Sequence, residues 1–144
     1  MKPLLFALLL LLAPNVMAEQ QGGQFKDLGP WEVHYIAFPS TFIQPNIAKA
    51  YDLTRSGSQA IVNISVLADK PSKPAVKANV SGFARDLLGK KVELEFKEVV
   101  EGEAIYYLAQ LDYDHEDVFR FEINISQGSQ SRQLVFSQKF YVDE

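Results

Sequence analysis

From Trp31 onward the chain alternates apolar and polar residues with a period of two, which turns successive side chains to opposite faces of a strand. WEVHYIAF puts Trp31, Val33, Tyr35 and Ala37 on one face and Glu32, His34, Ile36 and Phe38 on the other. AIVNISVL sends Val62, Ile64 and Val66 inward and the more polar set Ile61, Asn63, Ser65 and Leu67 outward. AVKANVS follows with Val76, Ala78 and Val80 inward. KVELEFKEV sets Val92, Leu94 and Phe96 against Glu93, Glu95 and Lys97. AIYYLAQL is apolar on both faces and predicts a central strand. VFRFEINI and RQLVFSQKFY direct Phe119, Phe121, Ile123 and Ile125, then Leu134, Phe136 and Phe140, to the core. One polar face per strand is the pattern of antiparallel sheets rather than of parallel sheets buried on both sides.

The breaks agree with this reading. Glu101-Gly102, Tyr113 to Asp117 and Gln127 to Ser131 are short and polar, so the last four strands are expected as a meander of hairpins. In the longer link before them, GFARDLLG has the look of a helical turn stopped by Gly89. Phe83, Leu87 and Leu88 would then cover one open end of the core. The expected fold is all-β: a single immunoglobulin-like antiparallel β-sandwich of about seven strands, with one short helical turn near residues 45–51. A small closed β-barrel is the alternative.

The helical turn lies in HYIAFPSTFIQPNIAKAY, His34 to Tyr51. Pro39 cannot donate to a ladder, which marks the first strand as the edge that could accept a partner strand. Ser40 to Ile43 can resume as a short strand, and Pro45 suits the first position of a helix. Ile47, Ala50 and Tyr51 share one face of that helix, so Ile47 and Tyr51 are expected to plug the end of the core.

The ends and the composition narrow the setting. Residues 1–18 read as a cleaved signal peptide, with Lys2 ahead of the apolar run Leu4 to Leu12 and a small-x-small site at Val16-Met17-Ala18. That run of roughly 9–10 residues falls short of the ~20 that span a bilayer. Residues 19–30 are then a flexible mature N-terminus and 31–144 the sandwich, in the periplasm or secreted. The chain has no cysteine, which removes disulfides, thiol redox chemistry, thiolate metal sites and a cysteine-linked lipid anchor together. There are 14 Lys and Arg against 18 Asp and Glu, a formal charge of −4, and no basic stripe. Nucleic acid and anionic lipid are therefore poor partners, and no membrane insertion is expected once the leader is gone.

Three constellations could carry chemistry. DYDHEDV gathers Asp112, Asp114, Glu116 and Asp117 around His115, and hard cations want several oxygens together. The EF-hand spacing fails, however, for want of a following glycine and a distal glutamate, so a solvated turn is expected and no metal or other cofactor is assigned. His34 and His115 make neither an H-x-H nor an HExxH spacing. Ser40 or Thr41 could serve as nucleophile with His34 as base only if the chain bends at Pro39, since an extended run of six residues spans roughly 20 Å. Three N-x-S sequons, at Asn63, Asn79 and Asn124, fall inside strands, where alternation explains them without a glycan.

WEVHYIAFPSTFIQPNIAKAYDLTRS with the following NISVL, together with LLGKKVELEF and EGEAIYYLAQ, resembles the bacterial exported family catalogued as domain of unknown function 4426. The HYxAFxSTFxxP core carries most of the likeness. The resemblance implies a Gram-negative periplasmic or secreted protein, for which sequons are irrelevant, and brings no catalytic residues with it. The expectation is a non-catalytic module that binds an envelope protein or a small ligand. Its surface would be His34, Phe38, Ser40, Thr41, Phe42, Asn46, Tyr51 and Arg55, since aromatics beside hydroxyls and an arginine suit recognition. The alternative is an enzyme or metal protein built on His34 with Ser40 or Thr41, or on the loop 112–117.

Overall fold

The computed structural model describes residues 24–142, so the signal peptide read at 1–18 lies outside the described residues. Nine strands form two antiparallel sheets. They are β1 (Gln24–Leu28), β2 (Trp31–Pro39), β3 (Gln59–Ala68), β4 (Asn79–Asp86), β5 (Lys91–Leu94), β6 (Lys97–Glu101), β7 (Ala104–Asp112), β8 (Val118–Gln127) and β9 (Gln130–Lys139). One sheet has the order β1-β2-β3-β7-β6 and the other β5-β4-β8-β9. No ladder among the described residues joins the two, so this is a sandwich and not a closed barrel. A short helix, α1 (Pro45–Ala50), is the one α-helix among the described residues.

The period-two pattern places the core where the sequence puts it. Trp31, Val33, Tyr35 and Ala37 of β2 and Val62, Ile64 and Val66 of β3 are buried against Phe119, Phe121, Ile123 and Ile125 of β8 and Leu134, Phe136 and Phe140. The aromatic rings interlock: Tyr35 lies 4.5 Å from Phe136 across the two layers, and Phe121 stacks on Phe136, its neighbour on the adjacent strand, at 4.8 Å. Offset and tilted ring pairs of this kind add to what area burial alone contributes. β7 is flanked by β3 and β6, an interior position that suits its two apolar faces.

Several local expectations give way to long-range pairing. Residues 24–28, expected within a flexible terminus, form β1 and pair with Trp31–Tyr35. β2 is therefore not an edge strand as Pro39 suggested. KVELEFKEV is not one strand: it splits at Glu95-Phe96 into β5 in one sheet and β6 in the other. The last four strands do not make one meander, because Tyr113 to Asp117 carries the chain from β7 in one sheet to β8 in the other. AVKANVS enters β4 only at Asn79, with Val76, Ala78 and Val80 packed on the core rim.

GFARDLLG is not a helical turn either. Its first half continues β4 against β8, with Gly82 opposite Ile123. A side chain on Gly82 would collide with the Glu122 carbonyl and the Ile123 backbone, so this glycine permits close approach of two strands. Gly89, at φ +89°, turns the β4–β5 hairpin. Phe83 is half-buried, while Leu87 and Leu88 are 80% and 94% exposed and cover nothing.

Candidate functional site

The stretch after β2 folds as a clasp. Ser40 to Phe42 make a 3₁₀ turn and not a resumed strand. Ser40 is fully buried; its hydroxyl donates to the Ser56 carbonyl at 3.0 Å and accepts from the Ser56 amide at 2.8 Å. Arg55 grips the same turn from outside, with Nε 2.8 Å from the Ile43 carbonyl and Nη2 3.1 Å from that of Thr41. A short loop would otherwise leave these carbonyls without partners, which the arginine fork corrects.

α1 then crosses the outer face of the five-stranded sheet. Pro45 occupies its first turn and Gln44 supplies the first carbonyl, accepting from Ala48 at 3.0 Å. Ala48, Ile61 and Val99 are buried yet stand apart from the sandwich core, and both strand residues belong to the face that alternates away from it. Tyr51 reaches β6, donating to Glu101 at 2.5 Å, and Lys97 donates to the Tyr51 carbonyl at 2.9 Å. That carboxylate holds the Tyr51 hydroxyl above the usual phenol range. Gln110 of β7 exchanges two hydrogen bonds with Thr54. Ile47 stays 38% exposed and Asn46 is exposed, so Ile47 and Tyr51 do not plug the core end; Ala48 docks on the sheet face in their place.

His34 sits on the same outer face, away from this clasp. Its Nε2 lies 2.6 Å from Glu32, whose other oxygen takes Lys73 at 3.1 Å. The hydrogen bond from His34, and next that from Lys73, hold the Glu32 carboxyl below the usual range. The ring packs 5.1 Å from Phe25. A shallow depression of about 280 Å³ adjoins it, lined by Ile36, Asn63, Ser65 and Tyr106 among others. Asn63 Oδ1, on its floor, is covered and has no hydrogen-bond partner among the described residues.

The proposed serine chemistry does not assemble: the Ser40 hydroxyl is committed to Ser56, and His34 to Glu32. Nor does the acidic loop form a cation cage. Asp117 caps the Asp114 amide at 2.7 Å, Asp112 accepts from Gln59 at 2.8 Å, and Glu116 faces Lys139 at 3.4 Å. Among the described residues no group of three His, Asp or Glu side chains is placed to hold a metal.

The structure brings Phe38 and Phe42 together with residues that sequence reasoning passed over. Their rings stack with centroids 6.2 Å apart and form one wall of a groove of about 470 Å³. Phe140, Tyr141 and Val142 form the other wall, and Gln24, Gln138 and Lys139 lie along it. Phe42 is 72% and Tyr141 54% exposed. Below the groove, β1 closes the gap between the sheets, with Lys26 Nζ donating to the Val135 carbonyl of β9 at 2.7 Å.

The far wall is held rigid. The Val142 amide donates to His115 Nδ1 at 3.0 Å, which leaves the ring proton on Nε2. The Tyr113 hydroxyl lies 3.0 Å from the carbonyls of both Gly57 and Tyr141. His115, expected as loop, thus positions the C-terminal tail. The sequence places Phe140 and Tyr141 within the last strand; β9 ends at Lys139, and the aromatic pair lies just past it. Nothing local said that the pair would face Phe38.

Two antiparallel sheets over one core, with an aromatic groove at one side, define a β-sandwich domain. The chain belongs to the family described as domain of unknown function DUF4426, whose model matches residues 25–143. It is similar to a DUF4426 family protein from Pseudomonas aeruginosa PAO1 known from a crystal structure. The two share 36% identity over 85% of this chain and 98% of that one, with a TM-score of 0.76. A copper-bound variant of FetP from uropathogenic Escherichia coli strain F11 shares the fold at 11% identity. It covers 83% of this chain and 95% of that one, with a TM-score of 0.58. FetP as isolated gives 13% identity, 83% and 93% coverage and a TM-score of 0.53. No curated protein matches the chain.

Proposed function

We propose that this is an exported, non-catalytic interaction module whose aromatic groove takes an extended segment of a partner protein in the cell envelope. The observation that carries the reading is a strand edge beside exposed aromatics. β9 is the terminal strand of its own sheet, and its Gln138 and Lys139 line the groove with Phe42 and Tyr141, which are 72% and 54% exposed. Unpaired strand edges accept extended peptide, with main-chain hydrogen bonds for affinity and side-chain pockets for selectivity. Here Phe42 and Tyr141 offer the pocket walls. Lys139 is the one charged residue lining the groove among the described residues, so the segment it fits is apolar and neutral or acidic.

The leader read at residues 1–18 and the fold shared with FetP, a form of which was expressed in a periplasm, support the envelope setting. Copper is a property of the FetP structure and is not carried over. This chain has two histidines and no cysteine, and copper sites draw on imidazole and sulfur ligands converging on one ion.

Peptide display tests the reading. Selection on the wild-type protein, with counter-selection on a Phe42→Ala/Tyr141→Ala variant, should enrich extended apolar sequences. Amide shifts on binding should fall in residues 36–42 and 138–142. Binders that map elsewhere, or none at all, would refute it.

A further inference from the structure

The β4–β5 hairpin presents two leucines to solvent on a rigid tip. Leu87 and Leu88 are the most exposed large apolar residues among those described, at 80% and 94%. The tip is not a loose loop. Asp86 Oδ1 accepts from the amides of Leu88 at 2.9 Å and Lys90 at 2.8 Å, while the Asp86 amide donates to the Lys90 carbonyl at 3.0 Å. Gly89 supplies the left-handed turn, and Arg85 ties down its carbonyl at 3.2 Å. A monomer that exposes two neighbouring leucines on an ordered tip keeps apolar surface in water without a folding reason.

Three cations stand beside the tip. Arg85, Lys90 and Lys91 are all exposed and flank the leucines, and Arg85 and Lys91 lie over the Phe83 ring, Lys91 at 4.4 Å. The Asp86 carboxylate is turned back into the turn as its cap. Across the adjoining cleft Asp112 and Asp117 are occupied with Gln59 and the Asp114 amide, and the exposed Asp114 lines the same cleft. Glu93 takes Lys91 at 3.4 Å, which leaves Arg85 and Lys90 without an acidic partner within salt-bridge distance among the described residues.

We propose that this hairpin docks on an anionic phospholipid surface, with Leu87 and Leu88 entering the interface and Arg85, Lys90 and Lys91 meeting the headgroups. A protein partner would need a concave pocket for a convex tip, whereas a bilayer interface receives such a tip without one. Apolar insertion and basic residues near the surface add to give reversible interfacial binding. This is peripheral docking: no helix among the described residues is long and apolar enough to cross a membrane. The reading differs from the sequence expectation about anionic lipid because the three cations are gathered by a hairpin and not by a stripe along the chain. It is independent of the groove.

Vesicle co-sedimentation tests it, with wild-type and Leu87→Ser/Leu88→Ser proteins prepared identically so that residues outside 24–142 are common to both. Wild-type protein should bind phosphatidylethanolamine/phosphatidylglycerol vesicles, with weaker binding to phosphatidylcholine and at high salt. The double serine variant should lose about a hundredfold in partition, about tenfold per leucine. Lys90→Gln/Lys91→Gln should lose the preference for anionic lipid. Thermal unfolding of both variants should match wild type, since the tip supports no core. Equal sedimentation of wild-type and double serine proteins would overturn the proposal, as would no vesicle binding. A wild-type dimer in sedimentation velocity that Leu88→Ser abolishes would also overturn it, in favour of self-association.

Discussion

Replacing Ser40 with alanine separates a structural hydroxyl from a reactive one. In the folded protein its Oγ is fully buried and makes two hydrogen bonds with the backbone of Ser56, at 3.0 and 2.8 Å. Each is worth about 1 kcal/mol net, and a backbone amide or carbonyl left buried without a partner costs about 1–3 kcal/mol. Ser40→Ala removes both bonds at once, so the loss should be about 2–3 kcal/mol. At roughly 4 °C per kcal/mol for a domain of this size, Tm should fall by about 8–12 °C. Ser56→Ala is the control. Its hydroxyl makes only exposed contacts with Ser58, at 3.3 and 3.2 Å, and its removal should change stability by less than about 0.5 kcal/mol. Urea denaturation followed by far-UV circular dichroism reads both variants. A Ser40→Ala protein within about 0.5 kcal/mol of wild type would refute the clasp and return this serine to the list of free hydroxyls.

Two further outcomes follow from burial and charge. Phe121→Ala, at a fully buried ring stacked on Phe136, should cost about 3–5 kcal/mol by urea denaturation, and a loss below about 1 kcal/mol would mean that the core is misplaced. The Glu32 carboxyl is depressed by His34 and Lys73, so its contribution is present above the unfolded-state value of about 4.3 and is lost as pH falls through the lower folded value. Glu32→Gln should therefore lose less Tm than wild type between about pH 5 and about pH 3, and parallel acid limbs would contradict the pairing.

Which residues face the core was legible in the sequence, because alternation is a local property set by the pleat of each strand. Trp31 to Ala37, Val62 to Val66, Phe119 to Ile125 and Leu134 to Phe140 needed no knowledge of their neighbours. The helix at 45–50 was legible for the same reason: Pro45 fixes its first turn. The candidate site was legible only in part. Phe38 and Phe42 do meet. Ser40 and Arg55 build the turn beneath them, Tyr51 anchors the helix to β6, and His34 belongs to a separate ion-pair cluster.

Tertiary structure alone decided what depends on partners distant in the chain. A glycine followed by Phe, Ala and Arg reads equally well as a turn or a strand until the backbone of β8 approaches Gly82. Nothing in KVELEFKEV marks the point at which the chain changes sheets, because both halves keep the same alternation. The groove exists because Phe38 and Phe42, at the end of β2, come to face Phe140 to Val142, just past β9. The sequence by itself determined the faces of the strands and the lack of cysteine chemistry. The assembly of those faces into two sheets, with aromatics gathered at one side, rests on contacts between residues up to a hundred positions apart, which no local pattern encodes.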